Sequence, residues 1–330
     1  MNTQNIPKKI LYWYDNNKRS LPWRKKNTKK NHEYFTLVSE FMLQQTQVKT
    51  VIPYFKRFIN KFPNLRALAR ANEHKVLKSW EGLGYYSRAI NLKKTAAILL
   101  KDFDGRLPNE IEKLKTLPGI GEYTSRSILS IAHNQPYIPM DGNVERILKR
   151  VFLLKTKKQI SKENLIKKKS FFSSTQRSSD YAQAIMEIGA LICKPSSPIC
   201  SSCPLINNCK AYKKKDFLIR TRNKLNKIKY FEAKVYKHKN KYLLVRNKKF
   251  NFLKNLVIFP MDEIEKKKFK LSFAKKINIK LSNMNMKIII NEEKKKRILK
   301  DSFLLDKSNI NKFILPSFTK KIFYSLPNSQ

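Results

Sequence analysis

All four cysteines of the chain lie in one short stretch, Cys193-x6-Cys200-x2-Cys203-x5-Cys209, and none occurs elsewhere. That confinement points to a single four-thiolate metal site rather than to scattered buried thiols or disulfides. Thiolates are soft ligands that suit zinc or iron–sulfur clusters. Zinc sites usually pair two tight C-x2–4-C units across a longer gap. Here only Cys200-x2-Cys203 is tight, and gaps of six and five flank it. The spacing favours a [4Fe–4S] cubane, with a zinc ion or free structural thiols as the alternatives. Lys194, Lys210 and Lys213–Lys215 surround the loop, so it could also face phosphates.

At 330 residues the chain has room for two domains. Its formal charge is +47, which favours a polyanionic partner such as nucleic acid. The charge is spread along the whole chain, however, and diffuse charge also serves solubility. No apolar run approaches the ~18–20 residues of a membrane helix. The opening MNTQNIPKKILYWYDNN lacks the apolar stretch of a signal peptide. A reducing, cytoplasmic setting is expected, where clustered cysteines more often mean metal than disulfide.

Residues 6–152 read as helical. Apolar residues recur at helical spacing in 34–48, 64–80, 86–100, 122–133 and 143–153. Pro53, Pro63, Asp104-Gly105, Pro108, Pro118-Gly119, Pro136 and Pro139 mark the connectors. Leu165 to Ala190 reads as helix again and runs into the cysteine loop. From Tyr230 the texture turns β-prone, in Phe231–Tyr236, Tyr242–Val245, Leu256–Phe259 and Lys287–Ile290. All seven glycines lie at or before Gly189, so Asn and Asp are expected at the turns of this second domain. Lys266–Lys268 and Lys294–Arg297 read as solvated faces.

Five further features could carry chemistry. Leu117-Pro-Gly-Ile-Gly121 sits before a helix start, where outward N–H groups make an anion site. It suits a hairpin gripping a DNA phosphate, or an ordinary helix–helix turn. Asp141, in Met140-Asp-Gly-Asn-Val144, is either a plain N-cap or a carboxylate kept ionised at a helix start. Glu40, among apolar neighbours, is either a surface residue or a buried acid with raised proton affinity. Gln44, Gln45 and Gln47 are read as continuing its helix. Gly82-Leu-Gly-Tyr-Tyr86 offers aromatics for base stacking or for core packing.

Together these motifs resemble the adenine-specific branch of the helix–hairpin–helix DNA glycosylases. The resemblance rests on Leu21–Arg24, Ser39–Val48, Trp80–Arg88, Leu117–Gly121, Met140–Val144, Met186–Ala190 and the cysteine loop, in that family's order. It covers roughly residues 8–212 and implies a mostly α fold. Residues 24–134 would form a six-helix domain with the hairpin. Residues 1–23 and 135–212 would form the iron–sulfur cluster domain, and 213–229 a linker. Residues 230–330 would form a divergent, smaller α+β Nudix-like domain.

By the resemblance, Glu40 is the general acid that protonates adenine at N7, and Asp141 stabilises the oxocarbenium-like sugar. Trp23, Arg24, Leu43, Tyr123 and Glu187 would line the base pocket, with Asn143 helping to hold the catalytic group. Gln45 and Tyr85 would fill the opened stack, and Leu117, Pro118, Gly119, Ile120 and Gly121 would grip the backbone. Cys193, Cys200, Cys203 and Cys209 would hold a [4Fe–4S] cluster. Lyase relatives carry a lysine two residues after the last hairpin glycine. Tyr123 stands there, which implies a monofunctional enzyme. The implied partner is duplex DNA with adenine opposite 8-oxoguanine or guanine, bound by a monomer in the cytoplasm at the nucleoid, with no membrane. A glycosylase/AP lyase of the endonuclease III type, or a catalytically silent DNA-binding protein, are the rivals. In the last domain Phe252–Pro260 and Leu315–Phe323 still look like family segments. The Phe-Ser-His triplet that reads the oxidised guanine is absent, as is a Nudix hydrolase box.

Overall fold

The computed structural model describes residues 6–24, 29–156, 176–217, 227–252, 256–281, 284–293 and 302–326. The expected helix over 165–175, most of the linker and the run Lys294–Arg297 lie outside the described residues. Contacts divide the chain into two units, Met1–Ala71 with Arg88–Thr221, and Asn72–Ser87 with Arg222–Gln330.

The first unit is helical. Its elements are α1 (Ile6–Asn17), a 3-10 turn (Pro22–Arg24), α2 (Lys29–Leu43), α3 (Val48–Lys61), α4 (Leu65–Arg70), α6 (Ser87–Asp102), α7 (Ile111–Lys115), α8 (Glu122–Ile131), α9 (Gly142–Phe152), α10 (Ser178–Leu191) and α11 (Lys210–Lys213). The intervening α5 (Glu73–Trp80) falls in the second unit. Helix α2 is buried on all sides from Leu37 to Met42, as a helix at the centre of a core must be. A separate cluster joins Ile10 and Tyr14 of α1, Ile147 and Val151 of α9, Ile185 and Ile188 of α10, and Leu205 of the cysteine loop.

Three sequence expectations need correction. Helix α2 stops at Leu43, so Gln44, Gln45 and Gln47 do not continue it. The buried Arg88 guanidinium donates to the carbonyls of Phe41, Met42 and Gln44, capping the helix end, and Gln45 adopts φ 56°. The run 64–80 is two helices, because Asn64 and Asn72 each cap a new start. Pro53 lies inside α3 rather than in a connector. Its missing N–H would have met the carbonyl of Lys49, an exposed residue whose backbone water can serve.

The second unit is built on a seven-stranded mixed sheet among the described residues. Central β1 (Lys227–His238) runs parallel to β6 (Met284–Glu293) and antiparallel to β2 (Lys241–Arg246) and β4 (Met261–Ile264). Strand β5 (Lys275–Leu281) pairs with β6, while β3 (Val257–Ile258) and β7 (Ser302–Asp306) pair with β2. The four β-prone runs fall in or next to β1, β2, β3 and β6. Strand β5 escaped notice because Asn278 and the lysines interrupt its half-buried face of Ile277, Ile279 and Leu281. Phe318, Ile322 and Phe323 of α13 (Ser317–Ser325) join Phe231, Leu244 and Ile288 in the core. The Lys266–Lys268 run opens α12 (Lys266–Leu271) and is exposed.

The glycine-free β1–β2 turn is solved by Lys239, at φ 53°, and not by Asn or Asp. A left-handed L-residue costs roughly 1–2 kcal/mol, which a single exposed turn can tolerate. Asn72–Ser87, helical by sequence, groups with the sheet because Glu81 is anchored there. Its carboxylate pairs with Lys320 at 2.9 Å and accepts from the Leu315 N–H at 3.3 Å.

Candidate active site

One cavity of about 740 Å3 in the helical unit is lined by both Glu40 and Asp141. Trp23, Arg24, Leu43, Tyr123, Asn143 and Glu187 line it too. Five separate stretches of sequence thus converge on a space of the size that takes small ligands.

Glu40 sits on the fourth and last turn of α2, where neighbouring helices cover it to 7% exposure. Burial pushes its carboxyl up to about 7; Ser127 nearby lowers it and Asp141 raises it. The Ser127 hydroxyl is buried and faces Glu40 and Tyr123, but reaches no partner with full hydrogen-bond geometry. Burial likewise raises the Tyr123 phenol, and the two carboxylates add to that. Its hydroxyl lies 3.6 Å from Met186 Sδ.

Asp141 is held differently. It is the N-cap of α9, and its carboxylate accepts from the Asn143 and Val144 N–H groups at 2.9 and 2.7 Å. Asn143 Nδ2 donates to its other oxygen at 2.9 Å. Gly189 of α10 packs against Asn143 so closely that a Cβ there would lie 2.6 Å from the Asn143 Cβ. Asp141 is thus a helix cap that also lines the cavity.

Glu187, 1% exposed, is neutralised by two arginines, Arg19 at 2.7 Å and Arg24 at 2.8 Å. Arg24 also donates to the Arg19 carbonyl. Arg19, Ser127 and Arg146 escaped the sequence reading. Arg19 meets its partner across 168 positions, so no local pattern announces it. Arg146 carried a usable signal, one turn after Asn143 on the same helix. Its guanidinium donates to Asn143 Oδ1, to the Gly189 carbonyl and to the Cys193 carbonyl.

The expected DNA-gripping residues lie outside the cavity lining. Gln45 is exposed in its left-handed turn. Tyr85, in the second unit, is 39% exposed at φ 48°. In the α7–α8 hairpin Leu117 and Ile120 are buried, so the backbone around Gly119 and Gly121 is what the turn presents. Gly119, at φ 81°, has Phe41 and Asn91 within 3 Å of where a Cβ would stand. Thr95 Oγ1 and Gln44 Nε2 bond the hairpin carbonyls of Pro118 and Gly119.

The four cysteines line a second cavity. Arg150 of α9 anchors their loop, donating to Cys193 Sγ and to the carbonyls of Lys194, Pro195 and Phe217. Burial pushes the Cys203 thiol up to about 12, so ligation here must displace protons. Among the described residues no three His, Cys, Asp or Glu side chains gather tightly enough to hold one ion. A cubane spaces its thiolates more widely than a single ion does. The all-sulfur donor set around a shared cavity fits thiolate ligation of a metal or cluster.

Such a convergence of carboxylates behind a helix–hairpin–helix defines a class. A family model for HhH-GPD superfamily base excision DNA repair proteins matches residues 38–170. A thermostable thymine-DNA glycosylase has the same fold, with TM-score 0.55 at 23% identity over 64% of this chain and 97% of that one. An endonuclease III–DNA complex gives TM-score 0.52 at 22% identity over 65% of this chain and 98% of that one.

Curated sequences narrow the class. The adenine DNA glycosylase of Buchnera aphidicola subsp. Baizongia pistaciae is 38% identical over 97% of this chain and 91% of its own length. That of Buchnera aphidicola subsp. Schizaphis graminum is 39% identical over 82% and 78%. The Homo sapiens adenine DNA glycosylase is 40% identical over 61% of this chain and 38% of its own. The chain belongs to the adenine DNA glycosylase family, hydrolases of N-glycosyl bonds in base excision repair. Among the described residues no helix is long and apolar enough to cross a membrane.

Proposed function

We propose that the enzyme removes adenine opposite 8-oxoguanine or guanine from duplex DNA, as a monomer and without efficient lyase activity. The observation that carries the reading is the pair Glu40 and Asp141 on one cavity, the first raised to about 7 by burial, the second surrounded by donors. An extrahelical adenine enters the cavity, since its glycosidic bond is shielded within the duplex. Glu40, still protonated near neutrality, gives its proton to the base at N7. The C1′–N9 bond pair leaves with adenine. Asp141, fixed by its three hydrogen bonds, faces the positive sugar, and water adds at C1′.

Tyr123 occupies the place of the lyase lysine. Lys18 also lines the cavity, but it is half-exposed and stands by Asp15. Neither offers a buried, activated amine. Residues 24–134 carry the acid and the hairpin. Residues 1–23 with 135–212 carry Asp141 and a [4Fe–4S] cluster held by Cys193, Cys200, Cys203 and Cys209. That cluster would act as a structural ligand set, and no proton or bond of the reaction needs it. Residues 230–330 form the divergent Nudix-like domain, which contacts the DNA from the sheet unit.

A duplex with adenine opposite 8-oxoguanine tests the reading. Adenine release, with strand breaks only after alkali, is expected. Efficient trapping of a covalent complex by borohydride would replace it with the lyase reading.

A further inference from the structure

Behind Glu40 the cavity continues along α2. His32, Thr36 and Glu40 follow one another at four-residue spacing, so they stand in one row on the helix, and all three line the cavity. The row is polar and buried, with His32 at 9% and Thr36 at 2% exposure. His32 Nε2 lies 2.9 Å from the Ile131 carbonyl. A carbonyl only accepts, so Nε2 carries the hydrogen and Nδ1 is left as an acceptor. Nδ1 and the Thr36 hydroxyl have no partner among the described residues. Each unmet buried group keeps an uncompensated desolvation cost. A cavity that is roomy and offers two or more polar partners relieves that cost by holding water.

We propose that Thr36 and His32 are positioning residues for Glu40, holding a short row of water behind the acid that hydrogen-bonds its carboxyl and takes up its negative charge as the proton leaves. The inference rests on Glu40 as the general acid. The proton passes from Glu40 to adenine and the C1′–N9 pair leaves with the base. The water that forms the new C1′–O bond gives its proton back to Glu40, so the acid is restored. The row acts on the intermediate carboxylate, which the apolar surroundings of α2 would otherwise leave unsolvated. Ser127 faces the same carboxyl from α8 and completes its polar side.

Single-turnover adenine release between pH 5 and 9, with melting temperatures, tests this in the full chain. Thr36→Val keeps the shape of the side chain and removes the hydroxyl. Its plateau rate should fall severalfold, and its basic limb should move up by about half a pH unit or more, because a less solvated carboxylate holds its proton more tightly. Thr36→Ser should restore both. His32→Gln, which keeps the bond to Ile131 and loses the Nδ1 acceptor, should shift the limb the same way by less. Lys18, Arg19, Arg24, Asp141, Asp180 and Glu187, the charged groups sharing the cavity, are unchanged in all three variants. Melting of Thr36→Val should be unchanged or higher. A valine profile that superimposes on wild type would overturn the inference. So would equal losses in valine and serine variants with lowered melting. Absence of adenine release from the wild type, or full release by Glu40→Gln, would instead remove the reading on which it rests.

Discussion

Glu40 and Asp141 are the same functional group in two different surroundings. Glu40 stands in the last turn of α2, sealed by neighbouring helices, with only a loosely placed hydroxyl beside it. Asp141 stands at a helix start and accepts three hydrogen bonds. Burial without partners keeps a proton on Glu40, whereas converging donors fix the position of the Asp141 carboxylate. The difference teaches that the division of labour is set by backbone position. The last turn of a helix has its N–H groups already bonded, whereas the first turn has unpaired ones.

The largest effect that could break this comparison is Glu40→Gln. Loss of a general acid is expected to slow adenine release by about 10²–10⁴-fold while duplex binding, read by titration, stays within a few-fold. Full activity would show that Glu40 is not the acid. Asp141→Asn comes next. Asparagine caps helices nearly as well, so melting should change little while release falls by about 10²–10³-fold. A large fall in melting with intact activity would reduce Asp141 to a cap.

The third test is pH. Release should fall as pH rises through about 7, where Glu40 loses its proton. Stability follows the same group. Its folded value lies above its unfolded value of 4.5, so the folded state binds more protons between the two, and stability declines as pH rises across that window. The contribution is on the order of 3 kcal/mol. Glu40→Gln should abolish that decline and melt higher than wild type at pH 8. A parallel decline in the variant would mean the carboxyl is not buried in solution.

The smallest expected effect concerns Asp141's support. Arg146 ties Asn143 to the Cys193 carbonyl, so the cysteine loop braces the capped end of α9. Arg146→Met should lower release about tenfold and melting by a few degrees, since a hydrogen bond to a charged group contributes about 1.5–3 kcal/mol. An unchanged rate would show that the loop and Asp141 are independent.

Much of the site was legible in the chain. The motifs named Glu40, Asp141, Tyr123 and Glu187, and all line one cavity. The apolar spacing of α6, α8 and α9 located those helices to within two residues. Less was legible where a distant residue decides a local one. The end of α2 at Leu43 depends on Arg88, reaching back more than forty positions. The grouping of Asn72–Ser87 with the sheet depends on Glu81 meeting Lys320. Strand β5 was not among the β-prone runs because its apolar face, Ile277, Ile279 and Leu281, is interleaved with Asn278 and lysines and is only partly buried by the sheet.

The sequence by itself determined which chemical groups are present and which backbone positions they hold. Four cysteines in one loop, a carboxylate inside an apolar helix, another before a helix start, and tyrosine after the hairpin are local facts, set by spacing and propensity. Tertiary structure alone decided how strongly Glu40 holds its proton, that two arginines neutralise Glu187, and that Thr36 and His32 extend the acid's cavity. Proton affinity and ion pairing depend on what excludes water around a group, and that is settled by helices distant in the chain.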